Sequence, residues 1–235
     1  MIGSIILYSG IAGITVFIGG LFAKSFDHQI TEGPVKSQII HSLMAFGAGI
    51  ILSALVFVLI PSGMDELGLS PMVFSFLLGA IIFMILDGYL AKKGAKTATL
   101  LAMLMDFIPE SLALGAVFAL DIDTALLLSI FIGLQNLPEA FNAYRDLTQG
   151  GFKSAQTLWI FFGLSFVGVV AALAGHLFLS QSPVLTSYLM TFASGGIFYL
   201  LIQDIIPESK LQNNFITAFG AVLGFVVGIL GEKII

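Results

Sequence analysis

Eight long apolar runs dominate this sequence and decide what it can fold into. Each is about 20 residues long, the length an α-helix needs to cross the hydrocarbon core of a bilayer. The runs cover residues 4–23, 38–60, 71–91, 97–120, 123–145, 156–179, 184–206 and 215–232. Only 10% of the 235 residues are charged, too few to cover the surface of a soluble domain. We therefore expect an all-α polytopic membrane protein with eight transmembrane helices, here called spans 1 to 8, in a single integral membrane domain over residues 1–235.

The distribution of basic residues predicts the orientation of the spans. Eight of the nine basic residues fall in, or beside, the loops that join spans 1–2, 3–4, 5–6 and 7–8: Lys24, Lys36, Lys92, Lys93, Lys96, Arg145, Lys153 and Lys210. Only Lys233 belongs to the other side. Because basic loops stay in the cytoplasm, these four loops are expected inside and both termini outside. The opening residues lack the basic region of a signal peptide, so they are interpreted as the first span of a multi-pass protein, which we expect in the plasma (cell inner) membrane.

Spans 2 and 7 share a faint internal symmetry. The stretch from Phe46 to Pro61 and the stretch from Phe192 to Pro207 have the same length, and a glycine follows each Phe by three residues. The predicted orientation makes span 2 run outward and span 7 inward. Spans 1–3 and 6–8 are therefore candidates for inverted repeats, a common plan in secondary transporters, arranged around spans 4 and 5.

Spans 4 and 5 carry matching polar patterns inside apolar sequence. The patterns are Asp106-x-x-Pro109-Glu110 and Gln135-x-x-Pro138-Glu139. Residues four apart share one face of a helix. At 1.5 Å per residue, Asp106 lies about 14 Å from the start of span 4 and Gln135 about 18 Å from the start of span 5, so both approach the bilayer midplane. Two antiparallel helices should thus present four oxygen-bearing side chains at one level.

The prolines and the carboxylates together indicate a cavity that receives a cation. A proline releases the carbonyl four residues earlier and kinks its helix, which membranes tolerate where the backbone lines a wet cavity. One charged residue at the bilayer centre costs about 2.5–3.5 kcal/mol, and spans 4 and 5 bury three carboxylates with no buried cation to neutralise them. Carboxylate and amide oxygens are hard ligands suited to divalent metals. We therefore predict a metal site formed by Asp106, Glu110, Gln135 and Glu139, with no catalytic residue and no bound cofactor.

At these residues the chain resembles the ZIP (Zrt/Irt-like) family of divalent metal transporters. That family has eight spans, both termini outside, and a binuclear metal site between helices 4 and 5. Its helix 4 motif HNxPEG stands here as residues 106–111, DFIPES, and its helix 5 motif QNxPEG as residues 135–140, QNLPEA. The Gly-rich span 7, which ends in a Pro-Glu pair, is similar as well. The resemblance implies a metal transporter domain rather than an enzyme, and zinc as the metal.

The site departs from the family pattern at three positions. Asp106 stands where the family usually has His. Phe107 stands where it has the Asn that binds a second metal, and Phe166 aligns with a Glu of span 6. The first metal site survives, whereas the second is reduced to Asn136 as a remnant, so one metal is expected rather than two. An all-oxygen site with no cysteine in the chain should also admit manganese, iron(II) or cadmium beside zinc.

Three further predictions accompany this site. Asp204 and Glu208, near the end of span 7, are candidates for the transport path. The expected partners are the lipid bilayer and a divalent metal ion, with a homodimer allowed and no nucleic acid. The GxGD motif of aspartyl intramembrane proteases and the HExxH motif of metalloproteases are absent. Two alternatives stay open: a proton-coupled carrier of a non-metal substrate, and a degenerate homologue that binds metal without transporting it.

Overall fold

The computed structural model describes residues 1–92, 95–212 and 214–235, with side chains omitted for residues 95–99, and consists of helices joined by short loops. Spans 1, 3, 4, 5 and 8 are single helices: Ile2–Gln29, Leu69–Ala91, Ala95–Val117, Ile122–Gln149 and Phe215–Ile234. Spans 2, 6 and 7 are composite: Pro34–Ala54, Leu55–Leu59 and Ile60–Glu66; Ser154–Leu164 and Val167–Leu179; Pro183–Leu200, Leu201–Ile205 and Ile206–Ser209. Within the described residues, eight helical spans are long and apolar enough to cross a membrane.

The predicted spans are confirmed, with boundaries that move by a few residues. The largest differences are at the ends of spans 1, 2 and 5, where helices continue past the apolar run into polar sequence. Pro109 and Pro138 lie inside continuous helices. Span 6, in contrast, is broken at Ser165 and Phe166, which the sequence did not indicate. The chain is an all-α polytopic membrane protein. Lys93 and Lys96, counted above among the basic loop residues, lie outside the residues whose side chains are described.

Spans 2 and 7 share an unusual feature at equivalent positions. Each contains a five-residue π-helical segment, Leu55–Leu59 in span 2 and Leu201–Ile205 in span 7. The two segments are displaced by the same 146 positions that separate Phe46 from Phe192 and Pro61 from Pro207. In both spans an Ile-Pro pair follows directly, and α-helix resumes there. Such bulges rarely arise without a local cause, so their shared position supports a structural repeat.

The helix packing follows the same symmetry. Span 1 packs chiefly against span 5 and span 4 against the second half of span 6, while span 2 packs against span 8 and span 3 against span 7. Exchanging spans 1–3 with 6–8, and span 4 with span 5, converts each of these pairs into another. Spans 1, 4, 5 and 6 form one closely packed set, the first group. Spans 2, 3, 7 and 8 form the second group, which meets the first mainly where span 2 lies against span 5 and span 7 against span 4.

Glycines allow the two equivalent interfaces of the second group to close. A side chain on Gly49 of span 2 would overlap the carbonyl oxygen of Ala221 in span 8. A side chain on Gly195 of span 7 would overlap the carbonyl oxygen of Phe76 in span 3. Gly49 and Gly195 are again 146 positions apart. In a bilayer, where helices gain little from the hydrophobic effect, such close backbone approach is a principal source of association. The two glycines are therefore equivalent in the helix packing as well as in the sequence, as expected of a repeat.

The two ends of the bundle differ in character. The end at which spans 1, 3, 5 and 7 finish carries most of the basic residues and is called the basic end. Toward the opposite end a tightly buried apolar cluster fills the space between the two groups. Its most buried large side chains include Leu55, Leu59, Leu114, Phe131, Ile132 and Met190.

Candidate metal-binding site

A cavity of about 270 Å³ opens from the middle of the bundle toward the basic end. It lies where spans 2, 3, 4, 5 and 7 meet, so both groups contribute to its walls. Its polar lining residues are Asp87, Asp106, Gln135, Glu139, Asn142, Asp146, Asp204 and Glu208. Met44, Gly47 and Ile51 of span 2 form part of the apolar wall. The cavity ends at the apolar cluster, so it is accessible from one end only.

Three of the four predicted ligands reach this cavity. Asp106 and Gln135 are almost fully buried, at 3% and 1% exposed, and Glu139 is partly buried. The side chains of Asp106 and Glu139 lie close to one another across the interface of spans 4 and 5. The Asp106 Oδ1 atom also accepts a hydrogen bond from the backbone N–H of Phe107, at 2.7 Å. Pro138, which precedes Glu139, lines the same cavity.

Glu110 lies behind this site rather than in the cavity wall. It is fully buried, and the amide Nε2 of Gln135 donates a hydrogen bond to its Oε2 atom at 2.5 Å. Gln135 thus connects Glu110 to the cavity-lining residues. The same helix face that carries Asp106 carries Glu110 one turn further toward the opposite end.

Three oxygen atoms of the predicted ligands have no hydrogen-bond partner. They are Oε1 of Glu110, Oε1 of Gln135 and Oε2 of Glu139, all buried. An unsatisfied buried acceptor costs about 1–3 kcal/mol, and more when it is charged, so native proteins rarely leave three side by side. Within the described part of the chain, however, no three acidic, histidine or cysteine side chains are arranged to hold a metal. The carboxylates are near one another but do not converge on one point in this conformation.

The residues of the predicted second site face elsewhere. Asn136 is buried, and its Nδ2 atom donates to the backbone carbonyl of Ala12 in span 1 at 3.3 Å. Phe107 is 3% exposed, and its ring lies directly against Gly168 in span 6, close enough that a side chain at position 168 would overlap it. Phe107 therefore occupies the space beside spans 5 and 6 with an apolar ring.

Acidic residues continue from this site to the mouth of the cavity. Asp204 and Glu208, the two predicted path residues, both line it. Asp87 and Asp146 were not predicted as site residues but line it as well. Tyr199 donates its hydroxyl hydrogen bond to Asp87 Oδ2 at 3.0 Å and so joins span 7 to span 3.

A periodic signal in span 5 could have revealed part of this path. Gln135, Glu139, Asn142 and Asp146 follow one another at intervals of four, three and four residues, which is the spacing of one helix face. This polar stripe runs along the entire cavity side of span 5. Asp87 has no such companion in span 3, so only the tertiary packing reveals its place.

Sequence comparisons identify similar proteins. No family model matches the chain. The human zinc transporter ZIP11 is 29% identical over 153 residues, which are 60% of this chain and 45% of that protein. The zinc transporter GufA of Myxococcus xanthus is 33% identical over 119 residues, 50% of this chain and 47% of that protein. The zinc transporter ZIP13 homolog of Drosophila melanogaster is 24% identical over 141 residues, 59% of this chain and 40% of that protein.

The chain thus spans less than half the length of these curated relatives. The matched proteins are nevertheless all named as zinc transporters. Over half to 60% of its length, the chain is similar to zinc transporters of the ZIP family.

Proposed function

We propose that the protein transports divalent metal ions, zinc among them, through a site between spans 4 and 5. The observation that carries this proposal is the group of three unpartnered buried oxygens on Glu110, Gln135 and Glu139, next to a cavity that reaches one end of the bundle. A positive ion is the ligand that would satisfy three acceptor atoms at once. The names of the similar proteins, all zinc transporters, support the same class of cargo.

The metal enters a site that must rearrange to hold it. Asp106, Gln135 and Glu139 face the cavity, whereas Glu110 is bonded to the amide of Gln135. Rotation of the Gln135 amide would present its Oε1 atom to the ion and release Glu110. The ion then has three carboxylates and one amide oxygen, a hard set that accepts zinc, manganese, iron(II) and cadmium. The absence of a preformed acidic triad in the described chain fits a site that binds the metal ion transiently and releases it.

The inverted repeat suggests how the site changes sides. Glu139 lines the open cavity while its counterpart Glu110 is buried toward the closed end. The same exchange relates Gly47, which lines the cavity, to Ala193, which is buried in the apolar cluster. Alternating access requires the repeats to exchange these conformations. The apolar cluster is then the closed half of the path, and it opens when the cavity at the basic end closes.

The positive-inside rule assigns the open cavity to the cytoplasm. With this orientation both termini lie outside and the structure represents the state that faces the cell interior. Asp87, Asp146, Asp204 and Glu208 would then surround the cytoplasmic exit and concentrate cations there. The plasma membrane as the location and the homodimer stay predictions.

Metal uptake into liposomes tests the transport proposal. Purified protein should carry zinc into vesicles that contain a zinc-sensitive dye, and Glu139→Gln should abolish uptake because it removes a charged ligand and preserves volume. The matched control is Glu66→Gln, the same change at the exposed last residue of span 2, at the opposite end, and it should transport as the unaltered protein does. Normal uptake by Glu139→Gln would place the site elsewhere. Binding of metal without uptake would support a degenerate homologue.

A further inference from the structure

Four charged side chains meet at the basic end, away from the metal cavity. Lys36, at the start of span 2, places its Nζ atom 2.9 Å from Asp27 at the end of span 1 and 2.6 Å from Glu32 in the connecting loop. Arg145, near the end of span 5, places its Nε atom 3.0 Å from the same Asp27 carboxylate. Asp27 is thus shared between two cations that come from two different helices.

The charged side chains of this cluster differ in how far they are buried. The side chain of Lys36 is 2% exposed and that of Arg145 10%, whereas Glu32 is 81% exposed. Lys36 also lies over the ring of Phe26, 5.9 Å from its centre. An exposed pair contributes little because solvent screens it, but a buried charge that loses its partner is costly. Asp27 is 29% exposed, so solvent screens its ion pair with Lys36 less than it screens the shorter Lys36–Glu32 hydrogen bond, whose acceptor is 81% exposed.

The cluster crosses the boundary between the two groups. Asp27 and Arg145 belong to the first group, and Lys36 belongs to the second. Three hydrogen bonds between spans elsewhere in the described chain each stay within one group: Ser53 donates to Phe225, Ser75 to Tyr188, and Asn136 to Ala12. The Lys36–Asp27 pair, in contrast, connects the two groups at a point away from the cavity.

From these contacts we infer that the buried Lys36–Asp27 pair is a latch that holds the two groups in the conformation whose cavity opens at the basic end. This inference rests on the proposed alternating access, because only relative motion of the groups gives a latch something to restrain. Opening the apolar cluster moves span 2 relative to spans 1 and 5 and breaks the pair. Arg145 remains bonded to Asp27 within the first group, so the separated carboxylate keeps a partner, while Lys36 moves into solvent at the membrane surface.

Lys36→Met tests the latch with little risk to the fold. Methionine keeps the length of the aliphatic stem, and Arg145 continues to neutralise Asp27, so no buried charge is left alone. The chain contains no cysteine, which permits single reporter thiols. Ala102→Cys reports on the open cavity, whose wall includes Ala102, and Ala193→Cys reports on the apolar cluster, where Ala193 is fully buried.

The measurement is the rate of maleimide labelling of each reporter in metal-free proteoliposomes. In the Lys36→Met background, labelling at position 193 should increase on the order of tenfold, the factor expected when the ion pair of a buried lysine is removed from one of two states. Labelling at position 102 should not increase. Lys36→Arg should restore the original rates. Glu32→Gln, the matched control that removes the exposed partner, should change neither rate by more than about twofold.

Two outcomes would overturn the latch. One is an unchanged rate at position 193 in Lys36→Met. The other is a comparable increase at both positions, which reports a loosened fold and not a shift between two states. Because labelling uses no metal, this result is independent of the uptake test. The latch can fail while Glu139→Gln still abolishes transport. Equally, the labelling rates can change as expected while Glu139→Gln transports normally, and the two experiments distinguish these cases.

Discussion

Gln135 donates a 2.5 Å hydrogen bond to Glu110, and this single contact joins the cavity to a carboxylate that does not reach it. Both residues are buried, and each retains one side-chain oxygen without a partner. The amide is a donor to Glu110 in the present conformation, and in the proposed transport cycle it would also be an oxygen ligand for the ion. A glutamine can do both because its side chain carries a donor and an acceptor at equal reach.

Replacement of Glu110 should weaken metal binding more than replacement of Gln135. Glu110→Gln removes a charged ligand and should abolish zinc binding measured by isothermal titration calorimetry. Gln135→Ala removes a neutral oxygen and should weaken binding less, although it leaves Glu110 with no hydrogen-bond donor and should lower the melting temperature of the metal-free protein. Unaltered binding by Glu110→Gln would show that Glu110 stays buried behind Gln135 throughout.

The ring of Phe107 predicts a single metal per site. Because Phe107 stands at the position where the family resemblance implies an asparagine ligand for a second ion, crystals soaked in zinc should show one strong anomalous peak between spans 4 and 5. Two peaks about 4 Å apart, the separation typical of binuclear sites, would contradict this prediction. Phe107→Asn is the matched comparison. It should keep the first anomalous peak, and any second metal peak would be sought in this variant.

Metal affinity should decrease on acidification. The carboxylates of Asp106, Glu110 and Glu139 bind a metal only when they are deprotonated, so binding releases the protons that the empty site holds. Lower pH favours the protonated, metal-free form, and apparent affinity should fall between about pH 8 and pH 5, a range that buried carboxyl groups can titrate in. Calorimetry in buffers of different ionisation enthalpy counts the released protons. Constant affinity across that range would exclude carboxylate ligation.

Selectivity should depend on Asp106. An oxygen ligand suits manganese better than it suits zinc, whereas a histidine nitrogen favours zinc, although intrinsic affinity still ranks zinc above manganese. Asp106→His should therefore increase the preference for zinc, measured as zinc uptake under increasing manganese. Asp123→His, in the turn between spans 4 and 5, is the matched control and should leave the preference unchanged. If both variants keep the original ratio, Asp106 does not determine selectivity.

The sequence by itself determined the eight spans, because length and hydropathy are properties of each run alone. It also determined that Asp106 and Glu110 share one helix face and that Gln135 and Glu139 share another, since helical periodicity is local. The inverted repeat was visible as a shared spacing in spans 2 and 7. The tertiary structure added the matching π-helical segments at Leu55–Leu59 and Leu201–Ile205 and the symmetric helix pairs.

Only the tertiary structure decided which face meets which neighbour. It separated Glu110 from the cavity, brought Asp87 to it, and turned Asn136 toward Ala12. It also converted Lys36 and Arg145, counted in the sequence as loop charges, into buried partners of Asp27. The physical reason is that burial and pairing depend on distances between residues far apart in the chain: Arg145 is 118 positions from Asp27, and no local pattern records that they meet.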